Sequence, residues 1–384
     1  MTAVAKRAAN KRGDFYEKTA YCLELILEKR ASLKTLVYNQ DAIDKKLLLK
    51  CLDSTLRNYS FLQKIVKKSN LKKIKSENVT ILLVHDLLFG KLVKSKHTVA
   101  VLQNKTRLRA ELVKLGGKPE QIVSKKYLRL THKCSMDEFT KLGLVPDEHI
   151  PDIYEFNLDL HDHKLYKDGM IVIQDKASCF PAHILAPLNG AVVMDCCAAP
   201  GNKTSHLSCI MKNTGKIYAL DKSQPRLKTL KVLTDKVGCK NIIPIHQDFL
   251  SIVPKEYADV EYILLDPSCS GSGMPDQFHL QDTSDPVRLK SLADFQKAAI
   301  LHAFTFPHVK KVVYSTCSVH VEENEDVVEF VLSQKDCAFR LAHDIIPTWP
   351  RRGLEKYKDH QHMIRALPQD GTIGFFVVMF ERII

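Results

Sequence analysis

From Gly169 onward the sequence alternates short apolar runs with stretches of helical periodicity. No other feature constrains the fold as strongly. The runs cover 170–173, 191–194, 216–220, 242–245, 262–265, 312–314 and 374–380, and helical spacing fills 203–211, 224–237, 287–303 and 322–334. In the second helical stretch Leu227, Leu230, Leu233 and Val237 fall on one face. Strands that alternate with helices form a parallel sheet covered on both sides. The last run has no helix after it and is free to lie antiparallel. The predicted class is α/β, a Rossmann-like, mostly parallel sheet with an antiparallel last strand.

The N-terminal part reads differently. Phe15, Leu23, Leu27, Leu48, Leu56, Leu62 and Ile65 recur near helical spacing with lysines between them. No proline precedes Pro119, which predicts long uninterrupted helices. Gly116-Gly117-Lys118-Pro119 marks a linker, 127–130 reads as a strand and 135–142 as a helix. The predicted organisation is a basic helical domain at 1–118, a small α/β module at 119–168 and the large sheet domain at 169–384.

Charge separates the same regions. Residues 1–130 hold 29 Lys/Arg against 11 Asp/Glu, a surplus of +18, whereas the remainder holds 28 against 33, or −5. A basic segment on a near-neutral body predicts a polyanionic partner, and nucleic acid fits best. The eleven cysteines form no C-x-x-C pair and lie mostly in apolar segments. They predict a reducing compartment, no disulfide framework and no metal site. Met1 to Tyr16 has basic residues without an apolar stretch, unlike a secretory signal. The longest apolar candidate, 81–93, is broken by Asp86 and Lys91, so no membrane span is expected.

Two loops carry chemistry. The first follows the 191–194 run and reads Asp195-Cys196-Cys197-Ala198-Ala199-Pro200-Gly201-Asn202-Lys203-Thr204. In an open α/β sheet the ligand binds beyond the carboxyl ends of the strands. This loop lacks both the P-loop spacing and G-x-G-x-x-G, so no phosphate cradle is indicated. Asp221 ends the second strand, where an acid accepts hydrogen bonds from ribose hydroxyls, and Asp248 follows the third, near an adenine amino group. Arg226 lies one helical turn past Asp221, and Lys203 is suited to a carboxylate. Each acid read alone could instead be a helix cap, Asp248 more readily than Asp221. Together the set fits an adenosine without phosphate, meaning S-adenosylmethionine.

The second element is a cysteine pair, Cys269 in Asp266-Pro267-Ser268-Cys269-Ser270-Gly271 and Cys317 in Ser315-Thr316-Cys317-Ser318. Each follows a buried strand-like run, and the polar neighbours argue against an apolar burial site. A thiolate at the mouth of such a sheet predicts covalent catalysis. Spacing does not decide which cysteine attacks. The Glu322-Glu323-Asn324-Glu325 run reads as a solvated helix N-terminus, favoured by the macrodipole.

These motifs, with Gln174-Asp175-Lys176-Ala177-Ser178 and Gly374-Phe375-Phe376, resemble the Nop2/Sun family of RNA cytosine-5 methyltransferases over roughly 127–384. Pro-Gly-Asn-Lys and Pro-Ser-Cys-Ser-Gly-Ser-Gly-Met are similar to the member-five branch, which acts on large-subunit ribosomal RNA. The resemblance implies a class I methyltransferase sheet and S-adenosylmethionine held by Cys197, Ala198, Ala199, Pro200, Gly201, Asn202, Lys203, Asp221, Arg226, Asp248 and Asp266. It implies Cys317 as nucleophile, Cys269 in release and Asp266 at the base. DNA cytosine methyltransferases instead use the cysteine at the position of Cys269. The 119–168 module is implied to contact RNA, through a segment that stands here as Arg129-Leu130-Thr131-His132. A monomer in the nucleolus is implied, with ribosomal RNA or a pre-ribosomal particle as partner. The alternative is an inactive RNA-binding assembly factor, which would need neither cysteine.

Overall fold

The computed structural model describes residues 14–28, 30, 33–38, 44–117, 125–134, 142–274 and 285–383. The basic residues 1–13, the Lys118-Pro119 half of the expected linker and 135–141 of the expected helix lie outside these. The chain divides near Gln121 into two compact units.

The first unit is helical: α1 Phe15–Leu27, α2 Leu33–Tyr38, α3 Lys45–Arg57, α4 Tyr59–Lys68, α5 Glu77–Leu88, α6 Thr98–Leu102 and α7 Lys105–Lys114. Asp14 starts α1 with a capping box: its Oδ1 accepts the Glu17 N–H at 3.1 Å, and Glu17 Oε2 accepts the Asp14 N–H at 3.3 Å. Every residue of α5 from Val79 to Asp86 is buried, so this helix is the core around which α1, α3 and α4 pack. The expected long helices are not found; α1 and α3, at 13 residues each, are the longest described here. Breaks arise without proline. Asn70 and Lys75 take left-handed φ of 49° and 61°, and Ser76 caps α5 by accepting the Val79 N–H at 3.2 Å.

The second unit contains two sheets. The smaller has order β2-β3-β1-β4 and is antiparallel, with β1 Lys126–Leu130, β2 Val145–Pro146, β3 Ile153–Phe156 and β4 Ile171–Ile173; the short α8, Lys164–Lys167, precedes β4. The larger has order β10-β12-β9-β8-β5-β6-β7, with β11 also on β12. Its strands are β5 Val192–Asp195, β6 Lys216–Asp221, β7 Ile242–His246, β8 Tyr262–Leu265, β9 Lys311–Thr316, β10 Phe339–Leu341, β11 Ile364–Ala366 and β12 Phe375–Arg382. β5 to β9 are mutually parallel and β12 runs antiparallel to β9, as the sequence predicts. The short strands β10 and β11 were not anticipated, and the 170–173 run, expected in the large sheet domain, instead pairs antiparallel with β1 in the smaller sheet because its register matches Leu128–Leu130.

The helices α9 Lys176–Leu185, α10 Asn202–Ile210, α11 Gln224–Val237, α12 Pro286–Phe304 and α13 Glu325–Leu332 cover this sheet. Alternating residues face opposite cores. Val193 and Leu264 join Phe180 of α9 and Leu207 of α10, while Met194 and Ile263 join Ile300 of α12 and Val328 of α13. Chain order reverses at β5, from which the chain runs outward through β6 and β7 and then returns to β8 on the other side. A crevice therefore opens where the loops after β5 and β8 diverge. No helix among the described residues is long and apolar enough to cross a membrane.

Candidate active site

The loop after β5 turns tightly into α10. Gly201 has φ 107°, and a Cβ there would lie 3.2 Å from Leu230 Cγ, so glycine lets the loop lie against α11. Ala198 donates its N–H to Leu220 O at 2.8 Å. Asp195 is buried and anchors α10 by accepting from Thr204 Oγ1 at 2.7 Å; burial pushes its carboxyl up to about 7.

Asp221, at the end of β6, is only 3% exposed. Its Oδ1 accepts the Ser223 N–H at 2.9 Å. Its Oδ2 stands 3.1 Å from Arg226 Nη1, at an angle that makes no hydrogen bond, and is otherwise unpartnered. Arg226 also donates to Ala199 O. Asp248 is exposed and caps the next turn, its Oδ1 accepting the Leu250 N–H at 3.0 Å. A cleft of about 470 Å³ is lined by Cys197, Ala199, Pro200, Asp221, Arg226, Asp248, Asp266, Cys269 and Cys317. Ala198, Gly201, Asn202 and Lys203 are not among its lining residues. A buried carboxylate oxygen awaiting a donor suits a ribose hydroxyl, so the residues present fit S-adenosylmethionine.

The thiols lie at one end of the cleft. Lys203 Nζ is 2.7 Å from Asp266 Oδ2, and Ser315 Oγ donates to Asp266 Oδ1 at 2.6 Å. Cys269 Sγ and Cys317 Sγ are 3.2 Å apart. The hydrogen bond from Cys269 lowers the Cys317 thiol below its ordinary range, with help from Lys203 and against burial and Asp266. The same bond, together with burial, pushes Cys269 well above that range. Cys196 and Cys197, by contrast, are both pushed up by burial. Gly273 donates its N–H to Cys317 O at 2.9 Å, and Gly374 donates to Gly273 O at 2.8 Å. A Cβ on Gly273 would lie 2.1 Å from Gly374 O, so the start of β12 pins the loop that carries Cys269.

Residues 182–381 match the 16S rRNA methyltransferase RsmB/F family. The 28S rRNA (cytosine-C(5))-methyltransferase of Mus musculus is 34% identical over 96% of this chain and 90% of its own. The 25S rRNA (cytosine-C(5))-methyltransferase of Schizosaccharomyces pombe is 39% identical over 95% and 90%. The chain belongs to the RsmB/F methyltransferase family. NSun6 from Pyrococcus horikoshii, solved with SFG, shares the fold at a TM-score of 0.58 and 18% identity, covering 78% of this chain and 97% of that one. The cofactor of this methyltransferase is S-adenosylmethionine.

Within this family frame two expectations need correction. The Glu322–Glu325 run is not a solvated helix end, because Glu323, Asn324 and Glu325 are all fully buried. Glu325 pairs with Arg365, and Asn324 accepts from Thr316 Oγ1 at 2.6 Å and donates to Ser318 O at 3.0 Å. The segment expected to contact RNA holds Arg129, which is 0% exposed. Its guanidinium donates to Ser205 Oγ at 2.9 Å and Gln174 Oε1 at 3.3 Å, tying β1 to α10.

The sequence reading missed Lys222, Gln247, Arg288 and Phe295, which also line the cleft. It also missed Gln296. That residue carried a signal: Leu289, Ala293, Gln296, Ile300 and Ala303 form the buried stripe of α12, and a polar residue in an apolar stripe marks a core hydrogen-bonding task.

Proposed function

We propose that this methyltransferase modifies carbon 5 of a cytosine in large-subunit ribosomal RNA through a covalent adduct with Cys317. The observation that carries the reading is the Cys269–Cys317 pair at 3.2 Å, with the Cys317 thiol lowered, at the end of a cleft suited to the cofactor. The Cys317 thiolate attacks carbon 6, breaking the ring conjugation and making carbon 5 nucleophilic. When bound, S-adenosylmethionine supplies the electrophilic methyl group. Asp266, oriented by Lys203 and Ser315, accepts a hydrogen bond from protonated N3 and so favours the addition. A base then takes the carbon 5 proton, which restores the double bond and expels Cys317 as a thiolate, and Cys269 assists this release. Cys197 to Lys203, Asp221, Arg226 and Asp248 hold the cofactor.

The target base must leave its stack to reach the thiols, at a cost of about a few kcal/mol. Exposed Lys222, Arg226 and Arg288 around the cleft suit the flanking phosphates. The basic helical segment 1–118 grips RNA. The 119–168 module adds exposed Lys126 in place of the buried Arg129, and 169–384 performs the chemistry. The protein works as a monomer in the nucleolus, without metal.

The test is labelled methyl transfer into ribosomal RNA by wild type, Cys317→Ala and Cys269→Ala. RNA labelling that is lost in the first variant, with a denaturant-stable RNA adduct in the second, supports the reading. Absence of labelling on ribosomal RNA and pre-ribosomal particles, despite cofactor binding, would replace it with the scaffold reading.

A further inference from the structure

Two thiols 3.2 Å apart are within hydrogen-bonding reach, so once one of them ionises the pair shares the remaining proton, and something must decide which sulfur keeps it. The loop carrying Cys269 is gripped on both sides. Gln296 Nε2 on α12 donates to Ser268 O at 3.1 Å, and Glu323 Oε1 accepts the Ser270 N–H at 2.8 Å. Gln296 Nε2 also donates to Glu323 Oε1 at 3.2 Å, and Tyr314 Oη donates to Glu323 O at 2.5 Å. Glu323 is completely buried, and its second oxygen, Oε2, has no hydrogen-bond partner. Two N–H donors thus converge on Glu323 Oε1. An unpartnered buried carboxylate oxygen is costly to keep, so its persistence beside a reactive loop calls for a reason.

The charges around the pair are asymmetric. Glu323 acts on Cys269, while Lys203 acts on Cys317. Asp266 opposes Lys203 at Cys317, with the larger effect of the two, and is itself paired to Lys203 at 2.7 Å. Tyr314 also faces Cys269, and Arg288 lines the same cleft. A negative charge behind one sulfur and a closed ion pair beside the other polarise a shared proton toward the first.

We propose that Glu323, held by Gln296 and the Ser270 N–H, is a positioning residue that keeps the shared proton on Cys269 and leaves Cys317 as the thiolate. The proposal deepens the reading of Cys317 as nucleophile and rests on it. In this step only the Cys317 S–H bond is broken, its proton leaving to solvent, while the remaining proton stays on Cys269.

The experiment is competitive alkylation of the folded full-length protein with iodoacetamide across pH. The modified fractions of peptides containing Cys269 and Cys317 are read by mass spectrometry. Alkylation follows the thiolate fraction, so it reports the proton's location without RNA. In wild type Cys317 reacts first. In Glu323→Gln, which keeps an oxygen for the Ser270 N–H but removes the charge, the preference for Cys317 falls by about tenfold, the equivalent of one pKa unit. Glu323→Asp retains most of it. In Cys317→Ser, where no sulfur remains to share the proton, Cys269 still alkylates about tenfold more slowly than a free thiol. An unchanged preference in Glu323→Gln, or a freely reactive Cys269 in Cys317→Ser, overturns the proposal and leaves the nucleophile assignment standing. Faster alkylation of Cys269 than Cys317 in wild type would instead overturn the nucleophile reading on which it rests.

Discussion

Each unit sets cysteine beside aspartate and serine, in a buried cluster in the helical unit and a half-buried one in the catalytic unit, and the two behave in opposite ways. In the helical unit Asp86 Oδ2 accepts from Tyr16 Oη at 2.8 Å, and His85 lies 2.9 Å from Asp86 Oδ1 and 2.7 Å from Ser54 Oγ. Cys51 Sγ is 3.8 Å from the same carboxylate. In the catalytic unit Cys317 and Cys269 stand with Asp266, Lys203 and Ser315. Burial, with Asp86 beside it, pushes Cys51 far above the ordinary thiol range, whereas Cys317 is lowered by its thiol neighbour. A cysteine beside an acid is therefore not a nucleophile by composition alone. It becomes one when a cleft reaches it and a donor stabilises the thiolate; otherwise the acid makes ionisation harder.

The sharpest break in this comparison comes from the cysteines themselves. Cys317→Ala is expected to reduce methyl transfer on the order of 10⁴-fold or more and to form no adduct, measured with labelled cofactor and denaturing gels. Cys51→Ala leaves methyl transfer per folded molecule unchanged, and a loss comparable to that of Cys317→Ala would end the distinction between the clusters. Cys269→Ala is expected to slow multiple turnover on the order of 10²-fold while the RNA adduct accumulates. Adducts in Cys317→Ala but not in Cys269→Ala would reverse the roles.

The next expected effect concerns stability. Asp86→Ala strips the acceptor from Tyr16 and His85, costing about 2–4 kcal/mol in denaturant unfolding with no change in cofactor affinity. A neutral result would mean that the helical cluster is not structural. The smallest effect is a pH slope in the catalytic unit. The folded Asp195 carboxyl titrates near 7, against 3.8 ordinarily, because burial favours its neutral form. Between those values the folded state keeps a proton that the unfolded state has lost. Asp195 therefore contributes stability at low pH that is lost as pH rises toward about 7. Asp195→Asn flattens that part of the unfolding free energy against pH; an unchanged slope refutes the assignment.

The sequence alone determined the parallel core of the large sheet and the loops that meet at its cleft, though not Lys222, Gln247, Arg288 or Phe295 on the cleft wall. Apolar runs such as Tyr262–Leu265 are strands because their burial on both faces leaves no polar periodicity, and the helical stretches between them dictate parallel pairing. Asp195 and Asp221 end parallel strands and Asp266 follows one, so their convergence at one edge followed from strand order. Other features were decided only by tertiary contact. The burial of Glu323 beneath Cys269, the use of Arg129 as a strut rather than an RNA contact, and Gln296 as a clamp depend on partners at least 27 positions away in sequence. A charged side chain has the same local signature whether it faces water or a buried donor. Local periodicity reports which face of an element is apolar, but only packing assigns each exception on that face a partner, and in this enzyme those exceptions set the charge around the thiols.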